Sequence, residues 1–536
     1  MSGLLSFLPA RGTADPPFAD ARAAREWLKL LPLINTPVAH AELLEAISGM
    51  NRSRLGALDS LKTLEQFRDT VHQIQDNWQT TFLGKPLPLN PGERSHWQHF
   101  VDLWNAMADG YARCWRAAAE GDAGVGQYQA LLAGRSLYYR LRMHYAHALV
   151  HRSPPQAGWD ILFAYYKLIM QQGLAQERFR DSLSAASGTS HCESLFIQAL
   201  LFAAGNPQQL STRQQQWLHP VLENLAPRTS LGTQAAAPEG HQPLSIDLDH
   251  PSPPLRRPPA DGQSSLAIDT LQLAQSLIKR IKLLRQGEAP QQLGLGSTLS
   301  TEAAEQLLRE LYKHWCEHPG ERKLGRKPQQ AELQVAGGGI GNQHRWLAQG
   351  LYAPPAVPQK ALGNRDMLDI QMFGKTTTRF TAPVLQAPEL ENWSLVDESV
   401  LGLRMERGIA GTRLQLQQLL TLTLDGQRFC GSIRWLEIGD EKILAGVRLL
   451  PGLPAAAAVR AIDAVRLGQE HYTDALRLPP MPALKEPASL LLPPGWFRQG
   501  RVLELWDGQA QHKVRLQSLL ERGSDFERAH FVPAGT

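Results

Sequence analysis

Apolar residues recur every three or four positions through most of the first 226 residues. Over 58–78 and again over 97–115, this spacing is typical of helices that bury one face, and prolines at 86–91 separate the two stretches. The same spacing predicts further helices over 127–151, 159–172, 193–204 and 212–225. We therefore predict an all-α domain over residues 1–226. Its core is predicted to include three tryptophans, Trp97, Trp104 and Trp115.

The pattern changes after residue 226. Proline, glycine, serine and glutamine dominate 227–262, and such a segment buries too little apolar surface to offset its ordering entropy, so we predict a flexible linker there. Two helices are predicted next, over 265–285 and 300–318, the second with cap residues at its start. Because they lead directly into a β-rich region, we expect 263–320 to be a helical pair that packs on that region.

Residues 393–451 contain short apolar runs separated by turn dipeptides. The run Leu419–Leu424 ends in Asp425-Gly426, which readily supplies the positive φ angles of a hairpin turn, and Gly439-Asp440 marks the next turn. This pattern predicts four or five antiparallel strands that curl into a small barrel. Residues 331–336 are a plausible first strand.

The last part of the chain is predicted to be mixed. The alanine-rich segment 455–465 is predicted to form one helix. Strands are predicted over 488–492, 501–506, 512–516 and 526–532, either as a second small β domain or as additions to the first. The predicted fold class is therefore multidomain α+β: an all-α N-terminal helical domain, a flexible linker, an antiparallel β-barrel over 321–454 and a helix plus β-rich region over 455–536.

One short motif, Asp397-x-Ser399-x-x-Gly402, stands near the start of the segment 393–451 that is predicted to form strands. An acid and a hydroxyl two residues apart on a strand share one face, and the glycine lets a ligand approach the backbone. With the later strand that ends in Gly-Val-Arg-Leu, this element resembles the PilZ family of bacterial cyclic-di-GMP receptors.

Members of that family also carry R-x-x-x-R ahead of the first strand, and Arg322-Lys323-Leu324-Gly325-Arg326 has this form. The order matches the family, but about seventy residues separate Arg326 from Asp397, where the family has a few tens. The resemblance is therefore to an atypical PilZ-like domain with an insertion at 337–392.

Cyclic-di-GMP carries two phosphates and two guanines. The resemblance implies that the two arginines fork onto phosphate or guanine edges, for which Arg is better suited than Lys. The acid and the hydroxyl would contact guanine and phosphate. The implied ligand-binding residues are Arg322, Lys323, Arg326, Asp397, Ser399 and Gly402.

Other interpretations of these residues remain open. The basic pair is also compatible with a solvated loop, and the acidic motif with a strand that ends in a turn with local Asp capping. Lys375-x-x-x-Arg379 is a second candidate for the basic element, eighteen residues before Asp397. His144, His147 and His151 have helical spacing, but no carboxylate or cysteine partner is evident, and we predict no metal site.

Net charge, cysteine spacing and the length of apolar runs exclude several classes of function. A net charge of +4 over 536 residues gives no case for nucleic-acid binding. Four widely separated cysteines fit a reducing compartment, and no window approaches eighteen uninterrupted apolar residues, so we predict a cytoplasmic protein without a membrane span. No nucleophile–base constellation emerges, so neither enzymatic activity nor a cofactor is predicted.

The predicted function is that of a cyclic-di-GMP receptor. Nucleotide binding would order the basic segment and change how the helical domain meets a protein partner in motility, pilus, polysaccharide or virulence control. The alternative is a degenerate PilZ-like scaffold that binds protein partners without nucleotide.

Overall fold

A computed structural model describes residues 2–10, 12–183, 188–257, 264–318, 327–349, 371–372, 387–399, 401–462 and 471–534. The chain divides into two compact units, Met1–Lys323 and Leu324–Thr536. The first is mainly helical and the second is mainly β, which confirms the multidomain α+β prediction. Among the described helices, none has both the length and the apolar character that a membrane crossing requires.

The N-terminal unit is built mainly from helices that pack closely on one another. They are α1 (Ser2–Leu5), α2 (Ala21–Leu30), α3 (Thr36–Arg52), α4 (Ala57–Trp78), α5 (Pro91–Ala119), α6 (Gln129–Ala148), α7 (Gln156–Gln171), α8 (Cys192–Ala204) and α9 (Thr212–Leu225). A two-residue strand pair, β1 (Phe179–Arg180) and β2 (Thr189–Ser190), lies between α7 and α8. The longest helix, α5, starts with a capping box between Asn90 and Glu93. Its three tryptophans are buried, as predicted: Trp97, Trp104 and Trp115.

A buried ionic network joins α4 and α6 to the loop after β1. The carboxylate of Asp181 lies 2.9 Å from Arg68 Nη2 and 2.7 Å from Arg135 Nη1. Glu65 accepts hydrogen bonds from Arg135 Nε at 3.1 Å and from the Tyr111 hydroxyl at 2.7 Å. Burial raises the pKa of Asp181, but the two guanidinium groups outweigh burial and hold that pKa below its ordinary value. Two cations and two carboxylates therefore compensate one another inside the helical unit.

The described part of the predicted linker is folded, so the prediction of a flexible linker over 227–262 is wrong there. Strands β3 (Ser230–Gly232) and β4 (Leu244–Asp247) flank β5 (Ser265–Asp269) in a three-stranded antiparallel sheet. Leu244 and Ile246 are 0% and 4% exposed. Two alternating apolar residues among prolines and glycines are enough to anchor a strand once β5 pairs with it, and composition does not reveal that.

The helical pair belongs to the first unit. It comprises α10 (Leu271–Arg285) and α11 (Thr301–Trp315). The Trp315 indole nitrogen donates a hydrogen bond to the Leu201 carbonyl in α8 at 2.8 Å. The prediction that 263–320 packs on the barrel is therefore wrong. The reason is that α8 is apolar on nearly all sides, so it receives the apolar stripe of α11.

The second unit begins with a closed six-stranded antiparallel barrel, here called the first barrel. Its strands are β6 (Lys327–Ala336), β7 (Glu391–Ser399), β8 (Gly402–Gly408), β9 (Leu419–Leu424), β10 (Gln427–Ile438) and β11 (Lys442–Leu449), in the order β10-β11-β8-β7-β6-β9. The β9–β10 turn has the predicted positive φ angles, 50° at Asp425 and 75° at Gly426. A helix, α12 (Ile340–Ala348), lies within the segment predicted as an insertion.

The C-terminal strands close a second barrel rather than extend the first. They are β12 (Ala455–Ala461), β13 (Thr473–Leu478), β14 (Ser489–Leu492), β15 (Val502–Trp506), β16 (Gln511–Arg522) and β17 (Glu527–Pro533), in the order β12-β13-β14-β17-β16-β15. The prediction of a helix over 455–465 is wrong. Ala457, Val459 and Ala461 alternate into the barrel core, and pairing of β12 with β13 and β15 overrides the helix propensity of alanine.

The two barrels share an apolar contact. Leu419 and Cys430 of the first barrel pack with Leu476, Leu491 and Phe526 of the second. The helix α12 also lies against β12 and β13. The second unit is therefore a pair of barrels with a common core.

Candidate ligand-binding site

The Asp-x-Ser-x-x-Gly motif forms the β7–β8 hairpin. In its register Ser399 pairs with Gly402, and Asp397 pairs with Arg404. The Ser399 hydroxyl donates a hydrogen bond to the Gly402 carbonyl at 3.1 Å. A Cβ at position 402 would lie 3.2 Å from that hydroxyl oxygen, so a side chain there would crowd it. The motif therefore builds a compact hairpin in which the glycine leaves room for the serine.

The structure thus brings Asp397, Ser399 and Gly402 together. Arg322, Lys323 and Arg326 lie outside the described residues, as do Lys375 and Arg379 of the second candidate element.

Strand β6, the first strand of the first barrel, pairs with β7 on the edge opposite β8. Strand β6 starts at Lys327, the residue after Arg326, and the backbone of Lys327 pairs with Glu398. Glu398 stands between Asp397 and Ser399 in the chain. The predicted basic element therefore leads directly into the strand that pairs with the predicted acidic motif.

A row of paired residues crosses the outer face of the first barrel beside the hairpin. Asp397 pairs with Arg404, Arg404 with Gly446, and Gly446 with Trp435. Arg404 Nη1 lies 4.0 Å from Asp397 Oδ2, and 41% of the Arg404 side chain is exposed. This guanidinium remains open to solvent although it lies close to a carboxylate.

The indole of Trp435 lies over Gly446, because a Cβ at position 446 would overlap with atoms of the indole ring. The glycine thus lets the tryptophan lie close to the strand, one pair away from Arg404. Arg448, two residues further along β11, is exposed and pairs with Gly402. On such a face the half-buried aromatic ring can stack with a planar base, and the guanidinium groups can hydrogen-bond to phosphate.

Arg404 and Trp435 belong to none of the sequence motifs, and Gly446 belongs only to the Gly-Val-Arg-Leu element. Their alignment depends on two register shifts, between Leu395 and Asp397 and between Ile433 and Trp435. A strand shift of one residue reverses which side chains share a face, and such shifts are not visible in a single sequence. A glycine inside a strand was the available signal, since it often marks a close approach.

Two of the three histidines at helical spacing are core residues. His144 and His151 are each 5% exposed, and burial lowers the pKa of His144 to about 4. Within the described ranges, no group of three histidine, cysteine or acidic side chains is placed to hold a metal ion.

Comparison with protein families gives two matches. Residues 22–237 match the family model described as "Cyclic-di-GMP receptor FimW, N-terminal domain". Residues 457–534 match the model described as "FimW C-terminal beta-barrel domain". Both ends of the chain match the FimW family of cyclic-di-GMP receptors. No curated protein matches the chain.

The two FimW matches lie on either side of the first barrel in the sequence. The N-terminal FimW match covers α2 to α9, and the C-terminal match covers nearly all of the second barrel. The first barrel, from Lys327 to Leu449, lies between the two FimW matches and inside neither. The hairpin site is therefore in the part of the chain that these FimW models do not describe.

Proposed function

We propose that this protein is a receptor for cyclic-di-GMP and that the ligand binds on the outer face of the first barrel, at the β7–β8 hairpin. The matches to a cyclic-di-GMP receptor family at both ends of the chain support the ligand class. The atypical PilZ-like character of the first barrel is part of this proposal.

The main support for the site is the pairing of Lys327 with Glu398. Consecutive Cα atoms are about 3.8 Å apart across a trans peptide bond. Arg326 is therefore one peptide unit from a residue that pairs with the strand of Asp397 and Ser399. The proposal requires only that the basic element turn toward the neighbouring strand.

The proposed roles follow from the chemistry of the side chains. Arg322 and Arg326 fork onto phosphate or guanine edges, and Lys323 adds positive potential. Asp397 accepts from guanine N–H groups, and the Ser399 hydroxyl exchanges its bond to the Gly402 carbonyl for one to a phosphate oxygen. Two further residues, Arg404 and Trp435, extend the site across the barrel face and offer a second guanidinium and a stacking surface.

The proposed output is a protein contact. Ligand binding at the start of β6 would alter how the helical unit meets a partner, in control of motility, pili, polysaccharide or virulence. The proposal includes a cytoplasmic location, as expected for a receptor of an intracellular messenger, and assigns no enzymatic step to the protein.

A second candidate function is a scaffold that binds protein partners without nucleotide. One observation favours it: Ser399 is already hydrogen-bonded within its own hairpin, and Asp397 already lies near Arg404. Side chains that satisfy one another do not need a ligand.

Calorimetry with cyclic-di-GMP separates the two functions. For the receptor, we expect micromolar or tighter binding by the full chain, weakened at least tenfold by Arg326→Ala and by Asp397→Asn. Lys442→Ala is the control, because Lys442 lies at the far end of β11 and pairs with Glu406 at 2.8 Å. Absence of binding by the unmodified chain would favour the scaffold. Equal loss in Lys442→Ala and Asp397→Asn would contradict the hairpin site.

A further inference from the structure

A cleft lies in the helical unit, among α4, α5, α6, α8 and α9. Its volume is about 230 Å³, and it combines charged, amide and aromatic groups. This volume is below the roughly 300–1,000 Å³ of pockets for drug-sized ligands, so the cleft suits a smaller group such as a single planar ring. Its lining includes Asp76, Phe100, Arg142, Tyr145, Phe202 and His219.

Arg142 is the cation of this cleft. Its guanidinium carbon lies 4.9 Å from the centre of the Trp104 ring, and its Nη1 lies 2.8 Å from Nε2 of His219. Burial and the charge of Arg142 hold the pKa of His219 well below its ordinary value, so the imidazole is neutral and accepts this hydrogen bond. Arg142 forms no ion pair with the described residues, and its Nη2 makes no hydrogen bond with them. A half-buried guanidinium with an N–H group that makes no hydrogen bond is costly, so an acceptor from a ligand would stabilise it.

Asp76 lines the same cleft from α4. The Gln79 amide donates to its Oδ1 over a long 3.4 Å, which leaves the carboxylate able to accept more. Burial raises the pKa of Asp76, and the charge of Arg142 opposes that rise. The cleft therefore offers a strong acceptor and a strong donor, and a simple anion would be repelled by one of the two.

Planar bases differ in how they match this pair. Guanine has N–H donors at N1 and N2 for a carboxylate and acceptors at O6 and N7 for a guanidinium. Adenine places an amino donor where guanine has O6, so it faces Arg142 with the wrong group. The donor and acceptor order of the cleft therefore favours guanine.

The walls of the cleft suit a flat ring. Phe100, Tyr145 and Phe202 line it, and Tyr145 packs against Phe202 with ring centres 4.2 Å apart. Tyr145 is 6% exposed, and its hydroxyl has no hydrogen-bond partner among the described residues. A buried hydroxyl without a partner is unfavourable, and a polar group of a bound ligand would satisfy it.

From these observations we propose that the cleft binds the guanine base of a nucleotide, with Asp76 on the N1–N2 edge and Arg142 on the O6–N7 edge. This site is built from other residues than the hairpin site and does not depend on it. The base can come from a mononucleotide or from a cyclic dinucleotide, and these two sources share the same chemistry.

The first test titrates the full chain carrying Asp397→Asn with GMP and with AMP. We expect GMP to bind at least tenfold more tightly than AMP. Adding Asp76→Asn should reduce that preference below threefold, and adding Arg142→Gln should weaken GMP binding at least tenfold. Asp69→Asn is the control, because Asp69 is an exposed acid on the same helix that does not line the cleft. The change from Asp to Asn is nearly isosteric, so folding, checked by circular dichroism, should be kept.

Equal affinity for GMP and AMP, or a preference that survives Asp76→Asn, overturns the proposal. A second titration with cyclic-di-GMP identifies the source of the base. A stoichiometry of two that falls to one in Asp76→Asn assigns both sites to the cyclic dinucleotide. A stoichiometry unaffected by Asp76→Asn, with the GMP preference intact, assigns the cleft to mononucleotides. The hairpin-site proposal is tested separately: it is contradicted if Asp397→Asn leaves the affinity for cyclic-di-GMP unchanged.

Discussion

The carboxylate of Asp525 accepts a hydrogen bond from the backbone N–H of Leu419 at 2.9 Å. Asp525 lies in the second barrel, just before β17, and Leu419 lies in the first barrel. The other oxygen, Oδ2, is buried and has no partner among the described residues. Burial raises the pKa of Asp525 to about 6, although the Leu419 N–H opposes that rise. A titratable group therefore stands at the contact between the two barrels.

Stability of the barrel pair should depend on pH through Asp525. An acid whose pKa is raised on folding binds its proton more tightly in the folded state, so its contribution is full below the unfolded pKa of about 3.9 and is lost as pH rises through about 6. Relative to Asp525→Asn, the unmodified chain should gain on the order of 3 kcal/mol in free energy of unfolding between pH 7.5 and pH 4. Urea unfolding of both chains across this range measures it. A difference between the two chains that does not change with pH would contradict the assignment.

The contact between Trp435 and Gly446 should appear as a coupling between two substitutions. Gly446→Ala places a methyl group where the indole lies, and we expect a loss of about 1–3 kcal/mol in stability together with weaker cyclic-di-GMP binding. In a Trp435→Ala background the same change should cost less than about 0.5 kcal/mol, since the overlapping ring is gone. Denaturant unfolding of the four chains gives the coupling energy. Additive effects would show that the two residues do not act on each other.

The exposed guanidinium of Arg404 should contribute to ligand binding and little to folding. Its ion pair with Asp397 is long, at 4.0 Å, and the side chain is 41% exposed, so its contribution to stability is small. We expect Arg404→Ala to weaken cyclic-di-GMP binding about tenfold and to leave the unfolding midpoint nearly unchanged. Arg404→Lys keeps the charge but loses the planar fork, so it should recover only part of the affinity. Full recovery by lysine would indicate that only charge matters at this position.

Much of the fold could be predicted from the sequence because the apolar spacing is regular. The helical stripe of α4, the Leu419–Leu424 strand and its Asp-Gly turn appear in the structure where the sequence predicts them. The errors fall where tertiary pairing overrides local preference. The alanine run at 455–461 becomes a strand because two neighbours pair with it, and Leu244 and Ile246 form a strand only in the presence of β5.

The candidate site was predictable in part, for a related reason. Asp397, Ser399 and Gly402 are close in the chain, so their arrangement follows from one hairpin. Arg404 and Trp435 join that arrangement through two register shifts and three strand pairings. Such cross-strand relationships depend on the folded sheet and not on local spacing.

The ionic network of the helical unit should make that unit sensitive to a single carboxylate. Asp181→Asn leaves Arg68 and Arg135 with less compensating charge in a buried place, and we expect a loss of about 3–5 kcal/mol in unfolding free energy. Because the pKa of Asp181 is lowered in the fold, its contribution is present at neutral pH and is lost as pH falls into the acid range. Urea unfolding of the full chain measures both effects.

Glu26→Gln is the matched control for that change. Glu26 pairs with Lys29 at 2.8 Å on an exposed helix face, where ion pairs contribute little, so the loss should stay within about 0.5 kcal/mol. Equal effects of the two substitutions would show that the buried network has no special weight.

Strand β6 pairs with β7 along one edge and with β9 along the other, and so closes the first barrel. A molecule that binds the chain just before Lys327 therefore also restrains the β6–β7 and β6–β9 pairings. Ligand binding there would make local opening of the barrel less frequent. Amide hydrogen exchange in β7 and β9 would then become slower, even at residues far from the ligand.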